Sequence, residues 1–121
     1  MEGMVEPTVQ RWFSEDFKTA NPDVLDGVRA RIRGTDPIVY FSCVTTFLTQ
    51  DFRTRLGEIT AQTLFVSGAD DHLGGPPPIM EELARAVPGA CHLSVPDVAH
   101  ICNIQNSAGF NDDLSGFLRA D

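Results

Sequence analysis

The second half of the chain alternates between two short apolar runs and two helical patterns, and this alternation limits the folds open to it. The runs at about residues 62–67 and 90–95 are short and bounded by turn residues, which predicts β-strands. A helical apolar pattern around 79–87 separates them, and another follows from about residue 110. The order β-α-β-α predicts two parallel strands joined by a crossover helix.

Two parallel strands do not make a complete sheet. Parallel sheets normally have helices on both faces, and exposed edges pair with further strands. A sheet of independent stability needs three or more strands or helical cover. We therefore expect another polypeptide to complete this sheet, or a longer chain of which this sequence is a segment.

The first 60 residues have a different pattern. Apolar residues recur there at helical spacing in three groups: Val9, Trp12, Phe13 and Phe17; Val24, Val28 and Ile32; and Val44, Phe47 and Leu48. Asn21-Pro22 and Asp36-Pro37 predict helix starts, because each places a capping side chain before a proline at the first helical position. Gly34 predicts the end of the middle helix.

Charge changes at the same boundary. Nine acidic and seven basic residues give net −2 over 1–60, whereas eight acidic and two basic residues give net −6 over 61–121. We predict an α/β chain in which a helical region, 1–60, is followed by a β-α-β-α unit, 61–121.

Composition excludes several classes of partner. The net charge of −8 opposes attraction to phosphate backbones and anionic membranes, so we expect no nucleic-acid or membrane partner. No apolar run approaches the roughly 18 residues that span a bilayer, and the first residues lack signal-peptide features. Cys43, Cys91 and Cys102 form no Cys-x-x-Cys pair, which argues against a disulfide framework. We expect a cytoplasmic protein, and no motif implies a cofactor.

A carboxylate and an imidazole follow the two predicted strands. Asp70 and Asp71 come after the first strand and His100 after the second, and parallel strands bring their carboxyl ends to one edge. In a catalytic triad a buried carboxylate orients an imidazole, which takes the proton of a nucleophile. The Gly-x-Ser-x-Gly elbow that would carry the nucleophile does not occur in the sequence. Turn-forming aspartates and a polar histidine before a helix are the alternative interpretation.

Two longer stretches carry a family resemblance. Residues 64–78 and 95–106 resemble the last two strand-loop sites of the α/β-hydrolase superfamily. Within it the chain is most similar to the carboxyl-terminal half of 3-oxoadipate enol-lactonases. The segment 11–17, Thr35-Asp36-Pro37 with Tyr40, and the segment 99–111 resemble the lid and base regions of those lactonases.

The resemblance implies which residues form a catalytic site and which parts of that site the sequence lacks. Asp71 matches the family's acid, the fourth residue of a Gly-x-x-Asp turn, and His100 matches its base. Trp12 falls in the lid motif, and Tyr40 and Cys43 lie about one turn apart on a lid helix, so all three are candidate substrate contacts; core packing is the alternative. The family's amino-terminal core strands, oxyanion loop and serine elbow are missing. Losing the nucleophile costs on the order of a million-fold in kcat, so the chain alone is predicted inactive.

Three hypotheses follow. The favoured one is an enzyme part that supplies acid, base and lid for a small ester or lactone, while a complementary amino-terminal half supplies the serine. The second is a noncatalytic fragment or interaction module that self-associates through its open sheet edge. The third is a hydrolase acting alone, with Cys102 as thiol nucleophile or a metal held by Asp70, Asp71, His72 and His100; Ser67 is expected to be structural.

Overall fold

The computed structural model of the chain describes residues 1–120. Two short 3₁₀ helices cover Glu2–Met4 and Arg53–Glu58. The other elements, in chain order, are α1 (Val5–Trp12), α2 (Glu15–Ala20), α3 (Pro22–Arg33), α4 (Pro37–Thr49), β1 (Leu64–Gly68), α5 (Pro77–Ala86), β2 (Cys91–Val95), α6 (Cys102–Gln105) and α7 (Ser107–Arg119).

The two strands form the predicted parallel pair. β1 and β2 run side by side from Leu64 opposite Cys91 to Gly68 opposite Val95, and α5 makes the crossover between them. β1 begins two residues and ends one residue later than predicted, and β2 begins one residue later and ends where predicted. The α/β class and the β-α-β-α order are confirmed, and within residues 1–120 the sheet has two strands only.

The first apolar group spans two helices. α1 ends at Trp12, and Phe13 and Ser14 have extended backbones before α2 begins. The Ser14 hydroxyl accepts a hydrogen bond from the Phe17 backbone N–H at 3.4 Å, so it caps α2. This break leaves the carbonyl of Trp12 free to bind another part of the chain.

Both predicted proline starts are observed, but only one has the predicted cap. Asp36 Oδ1 accepts from the backbone N–H groups of Ile38 and Val39 at 2.7 and 3.2 Å. The Asn21 side chain makes no such bond, and the prediction of a cap there is wrong. Its Nδ2 donates instead to the carbonyl of Phe17 at 3.0 Å, at the end of α2.

Two apolar clusters hold the fold together. α1 and α3 bury the first, made of Val5, Val9, Phe13, Leu25 and Ile32. The second lies under the sheet and consists of Val95, Val98 and Cys102. Ile101 packs against the first cluster, so the segment after β2 contacts both clusters. The segment that carries His100 is therefore fixed by the two cores together.

Helix α4 lies outside both clusters. It has no charged side chain and no buried residue, and Ile38 and Phe47 are 78% and 79% exposed. Within residues 1–120, none of the helices combines the length and the apolar character that a membrane span requires. The division at residue 60 stays a prediction.

Candidate active site

The Asp71 carboxylate is enclosed by its own loop. In the acid loop, residues 69–76, Asp71 Oδ1 accepts from the backbone N–H groups of Leu73 and Gly74 at 3.1 and 2.8 Å. Its Oδ2 accepts from the Gly75 N–H at 2.8 Å. The Asp71 side chain is only 3% exposed. Three N–H donors therefore stabilise a negative charge that solvent hardly reaches.

His100 completes this site from the second strand. The base loop, residues 96–101, places His100 Nδ1 at 2.7 Å from Asp71 Oδ2. The imidazole is 34% exposed, so one group of the pair is buried and the other is accessible. The contact occupies Nδ1 and leaves Nε2 without a hydrogen-bond partner among residues 1–120. A ring held in this way can transfer a proton at Nε2.

Electrostatics keeps the buried carboxyl ionised. Burial acts to raise the pKa of Asp71, but the hydrogen bonds from His100, Gly74 and Leu73 outweigh it, and the pKa lies below its ordinary value. The carboxylate is thus charged at neutral pH and can stabilise an imidazolium beside it.

Two glycines allow the loops to approach this closely. A Cβ on Gly74 would lie 2.2 Å from the His100 ring, and one on Gly68 would lie 1.9 Å from the carbonyl oxygen of Ala99. Neither space admits a side chain. The role of Gly74 was missed from the sequence, because a glycine in a loop gives no sign of what faces it.

The backbone of the base loop is anchored to the helical region. His100 and Ile101 both donate their backbone N–H to the Trp12 carbonyl, at 3.1 and 3.2 Å. The Gln105 amide adds a second link, from Ser14 to Asp97 and Ala99. Sequence reasoning missed Gln105 as well, since its partners are far away in the chain.

A small cavity opens beside the imidazole. It holds about 190 Å³ and is lined by Arg11, Trp12, Leu73, Gly74 and His100. Arg11 and Trp12 also line a second cavity of about 670 Å³ in the helical region, which Tyr40 borders. The space next to the His100 imidazole therefore adjoins a larger, mainly apolar cavity.

The predicted site residues have different places. Asp71 and His100 are in direct contact, whereas the neighbouring Asp70 side chain is exposed. Trp12 borders both cavities and Tyr40 borders the larger one. Cys43 is exposed on α4 and lines neither of these two cavities. Their functional roles stay predictions.

The alternative nucleophile and metal sites have little geometric support. Cys102 is buried, and burial raises the pKa of its thiol, which disfavours the reactive thiolate. Ser67 is buried and its hydroxyl lies 2.8 Å from His92 Nε2, in the body of the sheet. Within residues 1–120, no three His, Cys, Asp or Glu side chains are grouped so that they could hold a metal ion.

Comparisons with solved structures place this geometry in a known fold. The enol-lactonase of Burkholderia xenovorans matches 98% of this chain with 45% of its own length, at 30% identity and a TM-score of 0.93. A thermophilic esterase from Thermogutta terrifontis matches 96% of the chain with 43% of its length, at 23% identity and a TM-score of 0.86. An N-acyl homoserine lactone degrading enzyme matches 96% with 45% of its length, at 25% identity and a TM-score of 0.73. No protein-family model and no curated sequence matches the chain.

The chain belongs to the α/β-hydrolase superfamily and has the fold of its carboxyl-terminal half. Among the compared structures, the Burkholderia enol-lactonase has both the highest identity and the highest TM-score of the three. The chain spans less than half of the length of these hydrolases.

Proposed function

We propose that this chain supplies the acid and the base of a serine-type hydrolase that acts on a small ester or lactone. The observation that carries the proposal is the 2.7 Å contact between His100 Nδ1 and the buried carboxylate of Asp71. The nucleophile would come from outside this sequence, on a complementary amino-terminal half that also supplies the oxyanion donors.

Each group has a defined task in this mechanism. Asp71 accepts the Nδ1–H of His100, which fixes the tautomer with an unprotonated Nε2. Nε2 takes the proton of the serine hydroxyl as its oxygen attacks the carbonyl carbon of the substrate. The same nitrogen then gives this proton to the leaving alkoxide oxygen, and a water molecule repeats the cycle to release the acid.

The cavity beside His100 supports a substrate that carries a carboxylate. Six of the nine basic side chains form ion pairs, but Arg11 forms none within residues 1–120. Arg11 lines both the space beside the imidazole and the larger cavity. Similarity to an enol-lactonase at 30% identity supports a lactone as the group that reacts. Trp12 and Tyr40 would contact its apolar part.

Arg11 gives a test of this substrate class. In the assembled enzyme, Arg11→Ala should raise KM for a carboxylate-bearing lactone about tenfold or more and leave KM for a neutral p-nitrophenyl ester nearly unchanged, since one charged hydrogen bond is worth about 1.5–3 kcal/mol. Arg55→Ala is the matched control, because Arg55 pairs with Glu58 away from this cavity. Equal losses for both substrates would contradict a carboxylate-binding role.

Assembly tests the proposal itself. The purified chain should not hydrolyse p-nitrophenyl esters, and activity should appear when it is mixed with an amino-terminal hydrolase half that carries a Gly-x-Ser-x-Gly elbow. A serine-reactive fluorophosphonate should then label the partner and not this chain. Esterase activity of the chain alone, lost on Cys102→Ser or with a chelator, would instead support the thiol or metal hydrolase.

A noncatalytic role is the second candidate, and the exposed apolar surface of α4 favours it. An interaction module would form a soluble self-associated species that no amino-terminal half dissociates. Sedimentation analysis with and without that half distinguishes the two roles, because an enzyme part should dissociate from its own copies and form a one-to-one complex with the amino-terminal half.

Free cysteines on the surface, Cys43 and Cys91, support a reducing, cytoplasmic setting for either role.

A further inference from the structure

The side chain of Gln105 joins two segments that lie far apart in the sequence. Its Oε1 accepts from the backbone N–H groups of Ser14 at 3.2 Å and Ala99 at 3.3 Å. Its Nε2 donates to Ser14 Oγ at 2.7 Å and to the Asp97 carbonyl oxygen at 2.9 Å. An amide has two acceptor positions and two donor hydrogens, so all four are used.

Both segments lead directly to the proposed base. Ala99 precedes His100 in the chain, and Ser14 lies two residues after Trp12, whose carbonyl accepts the backbone N–H groups of His100 and Ile101. The bonds of Gln105 therefore close a ring of contacts around the peptide units that carry the imidazole. A shift of this backbone would move the His100 ring away from Asp71.

The turn that Gln105 holds has an unfavourable backbone conformation. Asp97 has a φ of 58°, in the left-handed region that L-residues seldom adopt. Such conformations persist where surrounding contacts determine them. The bond from Gln105 Nε2 to the Asp97 carbonyl is one such contact, and its loss would make this conformation of the base loop less stable.

We propose that Gln105 is a positioning residue, whose amide ties Ser14 to the base loop and so sets the orientation of the His100 imidazole on Asp71. The inference rests on the proposed function only in taking His100 as the base. The tie between the segments can be measured without any catalytic activity, so the two claims can fail separately.

NMR hydrogen exchange on the 121-residue chain tests the tie. Gln105→Ala should accelerate exchange of the His100 and Ile101 backbone N–H groups on the order of tenfold, because it removes the bonds that keep Ser14, and with it the nearby Trp12 carbonyl, next to the base loop. The His100 Nδ1–H signal should broaden or disappear as the ring becomes less well held. Exchange within β1 and α5 should be unchanged. A general loss of stability would instead accelerate exchange there as well.

Two further variants keep the test decisive. Gln105→Glu preserves the shape and the acceptor oxygen but, when ionised, cannot donate to the Asp97 carbonyl, so its effect should be intermediate. Gln62→Ala is the control, because among residues 1–120 the Gln62 amide donates to the carbonyl of Ala120 alone, at 2.9 Å, on the exposed surface. If Gln105→Ala unfolds the chain, the positioning role is tested by Gln105→Glu, through the exchange rates of the His100 and Ile101 backbone N–H groups.

The opposite result is clear. Wild-type exchange at His100 and Ile101, together with a wild-type Nδ1–H signal, in a folded Gln105 variant would overturn the positioning role.

In the assembled enzyme, Gln105→Ala should lower kcat about 10- to 100-fold with little change in KM, because a misplaced base affects the chemical step. An inactive wild-type assembly would contradict the proposed function and leave the exchange result standing.

Discussion

At the scale of single residues, the charge of Asp71 is stabilised by the His100 imidazole and by backbone N–H groups together. Three N–H groups of its own loop and one imidazole nitrogen donate to its two oxygens. Strand order predicted that the aspartates after β1 and His100 after β2 lie at one edge, and the resemblance to α/β-hydrolases favoured Asp71 over Asp70. Arg11, Gly74 and Gln105 were not predicted, since the cavity and the contacts that single them out exist only in the folded chain.

The depressed pKa of Asp71 makes stability depend on pH. Because the folded chain holds this carboxyl ionised below the ordinary Asp value of about 3.9, its contribution to stability is present above that pH and is lost as the pH falls through the folded pKa. Urea unfolding at pH 7 and at pH 3 should therefore show a smaller free energy of unfolding at pH 3. Asp71→Asn should cost about 1–3 kcal/mol at pH 7 and weaken this dependence.

Asp70 is the matched control for this measurement. Its side chain is exposed, so Asp70→Asn should change the free energy of unfolding by less than about 0.5 kcal/mol at either pH. Equal effects of the two substitutions would mean that the acid loop does not bury Asp71 as described.

Gly74 should be intolerant of any side chain. Gly74→Ala places a methyl group 2.2 Å from the His100 ring, so we expect the ring to be displaced and the activity of the assembled enzyme to fall about 100-fold. Gly116→Ala in α7 is the control, because, apart from its chain neighbours and the backbone of its own helix, no atom of residues 1–120 lies within 4 Å of its Cβ position. The substitution should stabilise the helix by about 0.5–1 kcal/mol. Wild-type activity of Gly74→Ala would contradict the close approach of the acid loop to the imidazole.

At the scale of elements, helix starts and strand order were predictable and the breaks between helices were less so. Pro22 and Pro37 begin helices as expected, because proline fits the first helical position whatever packs around it. The break after Trp12 was not predicted, because the apolar spacing continues across it into α2. That break matters for the site, since it frees the carbonyl that anchors the base loop.

Helix α4 gives a test at this scale. Because it has no buried residue, its stability depends on local contacts such as the Asp36 cap. Asp36→Ala should cost about 1 kcal/mol of local helix stability and speed exchange of the Ile38 and Val39 N–H groups about fivefold. Asn21→Ala should leave the start of α3 intact, because Asn21 makes no cap bond there. Unchanged exchange at Ile38 and Val39 would contradict the cap.

At the scale of the whole molecule, several incomplete features coincide. The sheet has two strands among residues 1–120, α4 exposes an apolar surface, and the sequence contains no serine elbow. The matched hydrolases are more than twice as long as the part that this chain covers. One complementary half would cover the sheet edge and α4 and would supply the nucleophile. The strand count of the sequence indicated the open sheet edge. It did not indicate the exposed surface of α4, because that surface depends on how α4 packs.

The central claim is that His100 is the base of a shared active site, and its most direct test is ester hydrolysis by the assembled enzyme. His100→Ala should lower kcat by on the order of 10⁴-fold or more, as expected when a triad histidine is removed. His72→Ala, in the exposed part of the acid loop, should retain activity within about threefold of wild type. Full activity of the His100→Ala assembly, with complex formation intact, would contradict the account.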